Sequence, residues 1–120
     1  LFINGMSDPI FSALDTMDYY ERLAANNGGM AATQNFARTF LVPGMNHCSG
    51  GPATDNFDSI QTMVDWVEKG IAPQSITAKA LASSADFPNR TRPLCPYPQF
   101  AKYKGTGSVE DASSFVCTAP

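Results

Sequence analysis

Charge is scarce in this sequence. Asp, Glu, Lys and Arg make up 16% of its 120 residues, against roughly 25% in ordinary globular domains. The eight basic residues are scattered and the formal net charge is −3, so no basic face invites nucleic acid as a partner. Long apolar runs are missing too: none approaches the roughly 20 residues of a membrane span, and no membrane partner is expected. The paired C-x-x-C of a structural zinc site is absent, and no metal site is expected. No G-x-S-x-G occurs either, so a glycine-framed serine nucleophile is not expected within these residues. Histidine occurs once, as His47, and cysteine three times, as Cys48, Cys95 and Cys117. In a secreted protein an odd cysteine count implies a free thiol or a partner elsewhere.

What is present reads as alternating strands and helices. The opening "LFIN" is apolar and β-prone, as expected of a chain that starts in the middle of a strand. Leu1 to Ile3 is the end of a buried strand, and "NGMSDP" behind it is turn chemistry. A helix follows, capped by Ser12 with Asp15 in its first turn. Ala13, Met17, Tyr20 and Ala24 form one stripe of that helix, and Asn26-Asn27-Gly28-Gly29 ends it. "RTFLVP", Arg38 to Pro43, is a second strand, its unbroken apolar run suited to a parallel sheet buried on both faces.

From Asp55 to about Lys69 the spacing predicts a second helix, with Phe57, Ile60, Val64, Val67 and Ile71 on one face. Gly70 stops it and Pro73 prevents resumption. "SITAKALA", Ser75 to Ala82, alternates as a third strand. Beyond it the proline-rich segment from Asp86 loses periodicity, and residues 83–120 read as an irregular tail. A Cys95–Cys117 bridge would order that tail, although three pairings are open and each leaves one cysteine over. Strand, helix, strand, helix, strand implies parallel pairing with right-handed crossovers. Three strands cover both faces of such a sheet poorly, so residues 1–82 read as one edge of a larger α/β domain.

In open α/β sheets the working residues gather beyond the carboxyl ends of strands. Asp8 lies five residues after Ile3, and His47 five after Val42. These equivalent offsets would bring both side chains to one sheet edge. A carboxylate behind an imidazole is the orienting half of a nucleophilic triad. Taken singly, a lone histidine is ordinarily a surface or satisfied structural residue, and Asp8 before Pro9 a turn former. Taken together, in the order acid then histidine, they gain weight. Ser7 and Ser49 sit on no strand-to-helix elbow, so the serine of such a triad would precede Leu1.

"GMSDPIFSALDTMDYYERL", "FLVPGMNHCSGGPATDNFD" and "MVDWVEKGIAPQSITA" together resemble the C-terminal part of the tannase and feruloyl esterase family. The likeness runs from about Asn4 to the end and includes "RPLCPYPQ" and "SFVC" in the tail. It implies a secreted or periplasmic serine esterase with an α/β-hydrolase domain and a large inserted lid, acting on small aromatic esters. Carried over by position, Asp8 matches the catalytic acid and His47 the catalytic base. Cys48 matches a cysteine bridged to another just before the nucleophilic serine, and Cys95 and Cys117 match the C-terminal disulfide. The partners so implied are the remainder of the hydrolase domain and its lid. Family members bind calcium in that lid, but no cofactor is expected in this chain. Ile10 and Phe11, past the acid, are candidates for lining the substrate pocket, with packing into the core the commoner role for such residues.

Two other readings remain. A non-catalytic, disulfide-stapled secreted binding module would require these residues to fold alone, with apolar strand faces open to water. Metal binding through His47 and Cys48 fits poorly, because adjacent residues rarely converge on one ion.

Overall fold

The computed structural model describes all 120 residues. Six strands and three α-helices occur: β1 (Phe2–Gly5), α1 (Ala13–Asn26), α2 (Met30–Thr33), β2 (Thr39–Val42), α3 (Ser59–Lys69), β3 (Ile76–Lys79), β4 (Thr91–Leu94), β5 (Phe100–Tyr103) and β6 (Phe115–Thr118), with a 3₁₀ turn at Ala112–Ser114. β1 and β2 pair in parallel, Phe2 opposite Thr39 and Gly5 opposite Val42, with α1 and α2 in the crossover between them. The Ser12 hydroxyl caps α1 by accepting from the Leu14 amide at 3.2 Å. Tyr20 and Ala24 of the stripe are buried, and the Tyr20 hydroxyl donates to the Ala37 carbonyl at 2.8 Å. α1 ends as the residues demand: the amides of Asn27 and Gly29 both return to the Ala24 carbonyl.

The apolar core is Phe40, Val42, Met45, Ala53, Ile76, Ala78 and Leu94. It joins β2, the histidine loop, β3 and β4, so the loop that carries His47 is anchored in the apolar core through Met45 and Ala53.

Several expectations are corrected. β1 continues through Asn4 and Gly5, residues read above as a turn, because their backbone is held in the ladder with Leu41 and Val42. α3 starts at Ser59, since Asp58 is its N-cap and accepts from the Gln61 amide at 2.7 Å. Asn56, expected inside that helix, bridges to Lys79 instead. β3 does not extend the parallel sheet: it pairs antiparallel with β4, Ile76 opposite Leu94. The tail expected to be irregular supplies β4, β5 and β6, with β5 and β6 antiparallel. A backbone bridge between Phe40 and Pro96 seats this tail against β2. Ile60, Val67 and Ile71, expected to face a core, are exposed. Helical spacing brings Ile60 and Val67 to one face of α3, and Ile71 lies just past the helix, beyond the Gly70 cap, but none of these 120 residues covers that face.

Cys95 and Cys117 are bridged, with Cα atoms 5.5 Å apart, and Cys48 is unpaired and exposed. The bridge staples β6 to the end of β4. A loop of this length contributes about 3 kcal/mol in the chain-entropy account.

Candidate active site

Beyond the paired ends of β1 and β2 the chain makes two turns that are bonded to each other. The amides of Met6 and Met45 both donate to the Val42 carbonyl, at 3.0 and 3.3 Å, and the Ser7 amide donates to the Met45 carbonyl at 3.0 Å. Glycine makes the approach possible. A Cβ on Gly5 would stand 2.3 Å from the Met45 carbonyl oxygen and 2.4 Å from that of Asn46, so only a residue without a side chain lets the histidine loop lie across the end of β1. The loop also closes on itself: a Cβ on Gly51, whose φ is +83°, would stand 2.2 Å from the Gly44 carbonyl oxygen. The Asp55 carboxylate accepts from the Gly50 amide at 2.7 Å, and the Gly50 carbonyl accepts from the Asn46 amide at 3.0 Å.

These turns bring Asp8 and His47 together. The register places Asp8 three residues beyond the end of β1 and His47 five beyond the end of β2, so the offsets differ while the side chains still meet. His47 Nδ1 lies 2.9 Å from Asp8 Oδ2. A carboxylate only accepts, so Nδ1 carries the proton. The other oxygen, Oδ1, accepts from the amides of Ile10 at 2.8 Å and Phe11 at 3.0 Å. Burial opposes ionisation of Asp8, but bonds from the Phe11 amide, the His47 ring and the Ile10 amide outweigh it and hold the carboxyl below its ordinary value. The Asp8 side chain is 5% exposed and that of His47 41%. The acid is sequestered behind the partly exposed imidazole, and Nε2 makes no hydrogen bond within the chain.

Asn4 braces the acid loop from below. It accepts from the Thr16 hydroxyl at 2.6 Å and donates to the Phe11 carbonyl at 3.3 Å. A cavity of about 280 Å³ opens beside the pair, walled by Asn4, Phe11, Thr16, Met45, His47 and Cys48 among others. Phe11 is exposed and its ring centroid lies 5.4 Å from that of His47. Ile10 is exposed too, and lines a neighbouring groove with Phe2 and Tyr19. Neither packs into the core, the commoner role expected for such residues. Ser7 and Ser49 are exposed on the two turns. Gly5, Asn4 and Asp55 were missed as site residues. The signal for Gly5 lay in an Asn-Gly pair directly after an apolar run, whereas nothing local marks Asp55. No group of three or more His, Cys, Asp or Glu side chains is placed to hold a metal ion.

A family model described as tannase and feruloyl esterase matches residues 1–118. The chain belongs to this family. Among relatives, it is 55% identical over 121 residues to the mono(2-hydroxyethyl) terephthalate hydrolase of Piscinibacter sakaiensis, covering 100% of this chain and 20% of that protein. It is 34% identical over 116 residues to a probable feruloyl esterase of Arthroderma benhamiae, covering 95% of this chain and 21% of the relative. In three dimensions it superimposes on feruloyl esterase B from Aspergillus oryzae with a TM-score of 0.79 at 28% identity, over 97% of this chain and 26% of that one. The tannin acyl hydrolase of Aspergillus niger gives 0.76 at 21% identity, over 98% and 22%, a likeness of fold. The chain thus spans about a fifth to a quarter, 20% to 25%, of the length of these curated relatives.

Proposed function

We propose that this chain supplies the acid and the base of a serine carboxylic-ester hydrolase of the tannase and feruloyl esterase type, acting on aromatic esters. The single observation that carries the reading is the 2.9 Å bond from His47 Nδ1 to an Asp8 carboxylate already fixed by two amides. In this reading Asp8 holds the imidazole in the Nδ1-protonated form, so Nε2 is a free base. A serine from a preceding segment attacks the ester carbonyl and its proton passes to Nε2. The imidazolium, stabilised by Asp8, returns that proton to the departing alkoxide, and a water then repeats the cycle on the acyl-enzyme. These 120 residues lack the nucleophile and are inactive alone.

Phe11 offers an aromatic wall beside the base, and Ile10 extends it, which supports a flat aromatic group as part of the substrate. The names of the relatives point the same way, one to a terephthalate ester and others to feruloyl esters. Cys48, exposed at the edge of the cavity, bridges to a cysteine near the serine and so ties the histidine loop to the nucleophile. The apolar face of α3 bearing Ile60 and Val67, with Ile71 just past the helix, packs against the rest of the hydrolase domain. The disulfide supports an oxidising compartment, secreted or periplasmic, and no helix is long and apolar enough to cross a membrane.

The test is made in the whole protein that carries this chain. His47→Ala should abolish hydrolysis of an aromatic ester while the melting temperature stays within a few degrees, because the ring is partly exposed. A variant that keeps most of its kcat would sink the triad reading. Non-reducing peptide mapping should join Cys48 to a peptide outside these residues, and alkylation of Cys48 as a free thiol would refute the bridge.

A further inference from the structure

A second cavity, about 320 Å³, lies under the base of the histidine loop. Pro43 and Pro52, which flank that loop, form one wall, and Leu94, Phe100 and Phe115 form much of the rest. Asp8 and His47 are not among its lining residues, so it is separate from the site above. The volume and the mostly apolar walls suit one small aromatic molecule.

Its polar side chains are few: Arg90, Arg92 and Thr54. Arg90 and Arg92 both reach it, and they are not equivalent. Arg90 is committed to Glu110 through two bonds, Nε to Oε2 at 2.5 Å and Nη2 to Oε1 at 2.6 Å, and lies over the Phe87 ring. Arg92 has no carboxylate. Its guanidinium lies 4.3 Å from the Phe115 ring centroid and donates only to the neighbouring Thr91 carbonyl, at 2.8 Å. A guanidinium has five N–H donors in a planar fork that matches a carboxylate, so most of that fork is free. Thr54 is 6% exposed and lines the same cavity with a hydroxyl that has no hydrogen-bond partner in the chain. That hydroxyl is therefore free to bond a polar ligand. Two arginines against one glutamate leave a net positive charge at an otherwise apolar pocket.

We propose that this cavity is a binding site for a small aromatic carboxylate, with Arg92 as the anchor for the anion, Thr54 as a second donor, and the phenylalanine and proline walls around the ring. Acids of this class are what hydrolysis of an aromatic ester would release, and Pro43 and Pro52 place the site against the segment that carries His47. The site itself stands on the cavity and its uncommitted donors, whether or not the esterase reading holds.

Calorimetry on the whole protein carrying this chain, with benzoate as the probe, tests it. Benzoate should bind saturably, and equally well to the His47→Ala variant. Benzamide, the neutral analogue of the same shape, should bind about tenfold more weakly or worse, the usual loss when a charged hydrogen-bonded partner is removed. Arg92→Gln should weaken benzoate by a similar factor, and Thr54→Val should weaken it less while leaving the melting temperature unchanged. If Arg92→Gln does not fold, the comparison of benzoate with benzamide and the Thr54→Val variant decide. Absence of saturable binding, as would follow if a carboxylate from elsewhere in the protein occupied Arg92, overturns the proposal. So does equal affinity for benzoate and benzamide, or binding that disappears in His47→Ala. A protein that binds benzoate through Arg92 but hydrolyses no ester would refute the esterase reading and leave this site standing.

Discussion

Replacing Asp8 by asparagine removes one charge and changes almost no volume, yet the geometry predicts a severe loss. Oδ1 of Asp8 accepts from the Ile10 and Phe11 amides. An asparagine must present its carbonyl oxygen to those two donors, because turning its NH₂ toward them would oppose donor to donor twice. The NH₂ therefore faces His47, where the carboxylate oxygen now sits 2.9 Å from Nδ1. To accept that hydrogen Nδ1 must give up its proton, and the neutral ring then carries it on Nε2. The base would be capped at the atom that has to receive the serine proton, with no anion behind it to stabilise the imidazolium. In a serine protease the same exchange lowers kcat by about 10⁴, and a loss of similar order is expected here. The assay is kcat on an aromatic ester in the whole protein, alongside circular dichroism to show that the fold is kept. A loss below about tenfold, with the fold intact, would refute the assignment of tautomer and role.

Asp8 also makes a prediction about acid. Its folded pKa lies below the ordinary value of 3.8, so between the two values the unfolded chain binds more protons than the folded one. The stabilisation from Asp8 is complete above the ordinary value and fades as pH falls through the folded value. The wild-type melting temperature should therefore fall more steeply than that of Asp8→Asn in this range, and parallel curves would count against the effect. Gly5→Ala should cost about 1–3 kcal/mol by overpacking and displace the histidine loop, with kcat down about a hundredfold if His47 shifts by roughly an ångström. Gly70→Ala is the control: a Cβ there meets nothing within 4 Å, so its left-handed backbone costs about 1 kcal/mol with activity unchanged. Loss of the Cys95–Cys117 bridge in a double serine variant should lower stability by about 3 kcal/mol, read by urea titration, while hydrolysis persists at temperatures where the protein stays folded.

Both members of the Asp8–His47 pair could be located from sequence, because each follows a short apolar run and a turn, and parallel strands put such turns at one sheet edge. Its exact geometry could not. The two offsets from the paired strand ends differ, and the side chains meet only because Gly5 and the Met45 carbonyl let one turn fold over the other. Asp55 escaped notice for a related reason: its bond to the Gly50 amide closes a loop whose path no periodicity records. The tail from residue 83 looked shapeless because Pro93 sits inside β4 and Pro96 and Pro98 lie between it and β5, and prolines ordinarily argue against a strand.

By itself the sequence determined what depends on neighbours along the chain. Ser12 as a cap, the buried stripe of α1, the stop at Gly70 and the acid and imidazole on turns after apolar runs all follow from local spacing and backbone chemistry. Tertiary structure alone decided what lies against what. β3 took β4 as its partner because strand edges offer the same N–H and C=O groups to any neighbour, so the pairing is settled by which chain arrives there. The apolar face of α3 shows the same limit from the other side: its spacing records that burial is wanted, and only the surrounding structure determines whether anything provides it.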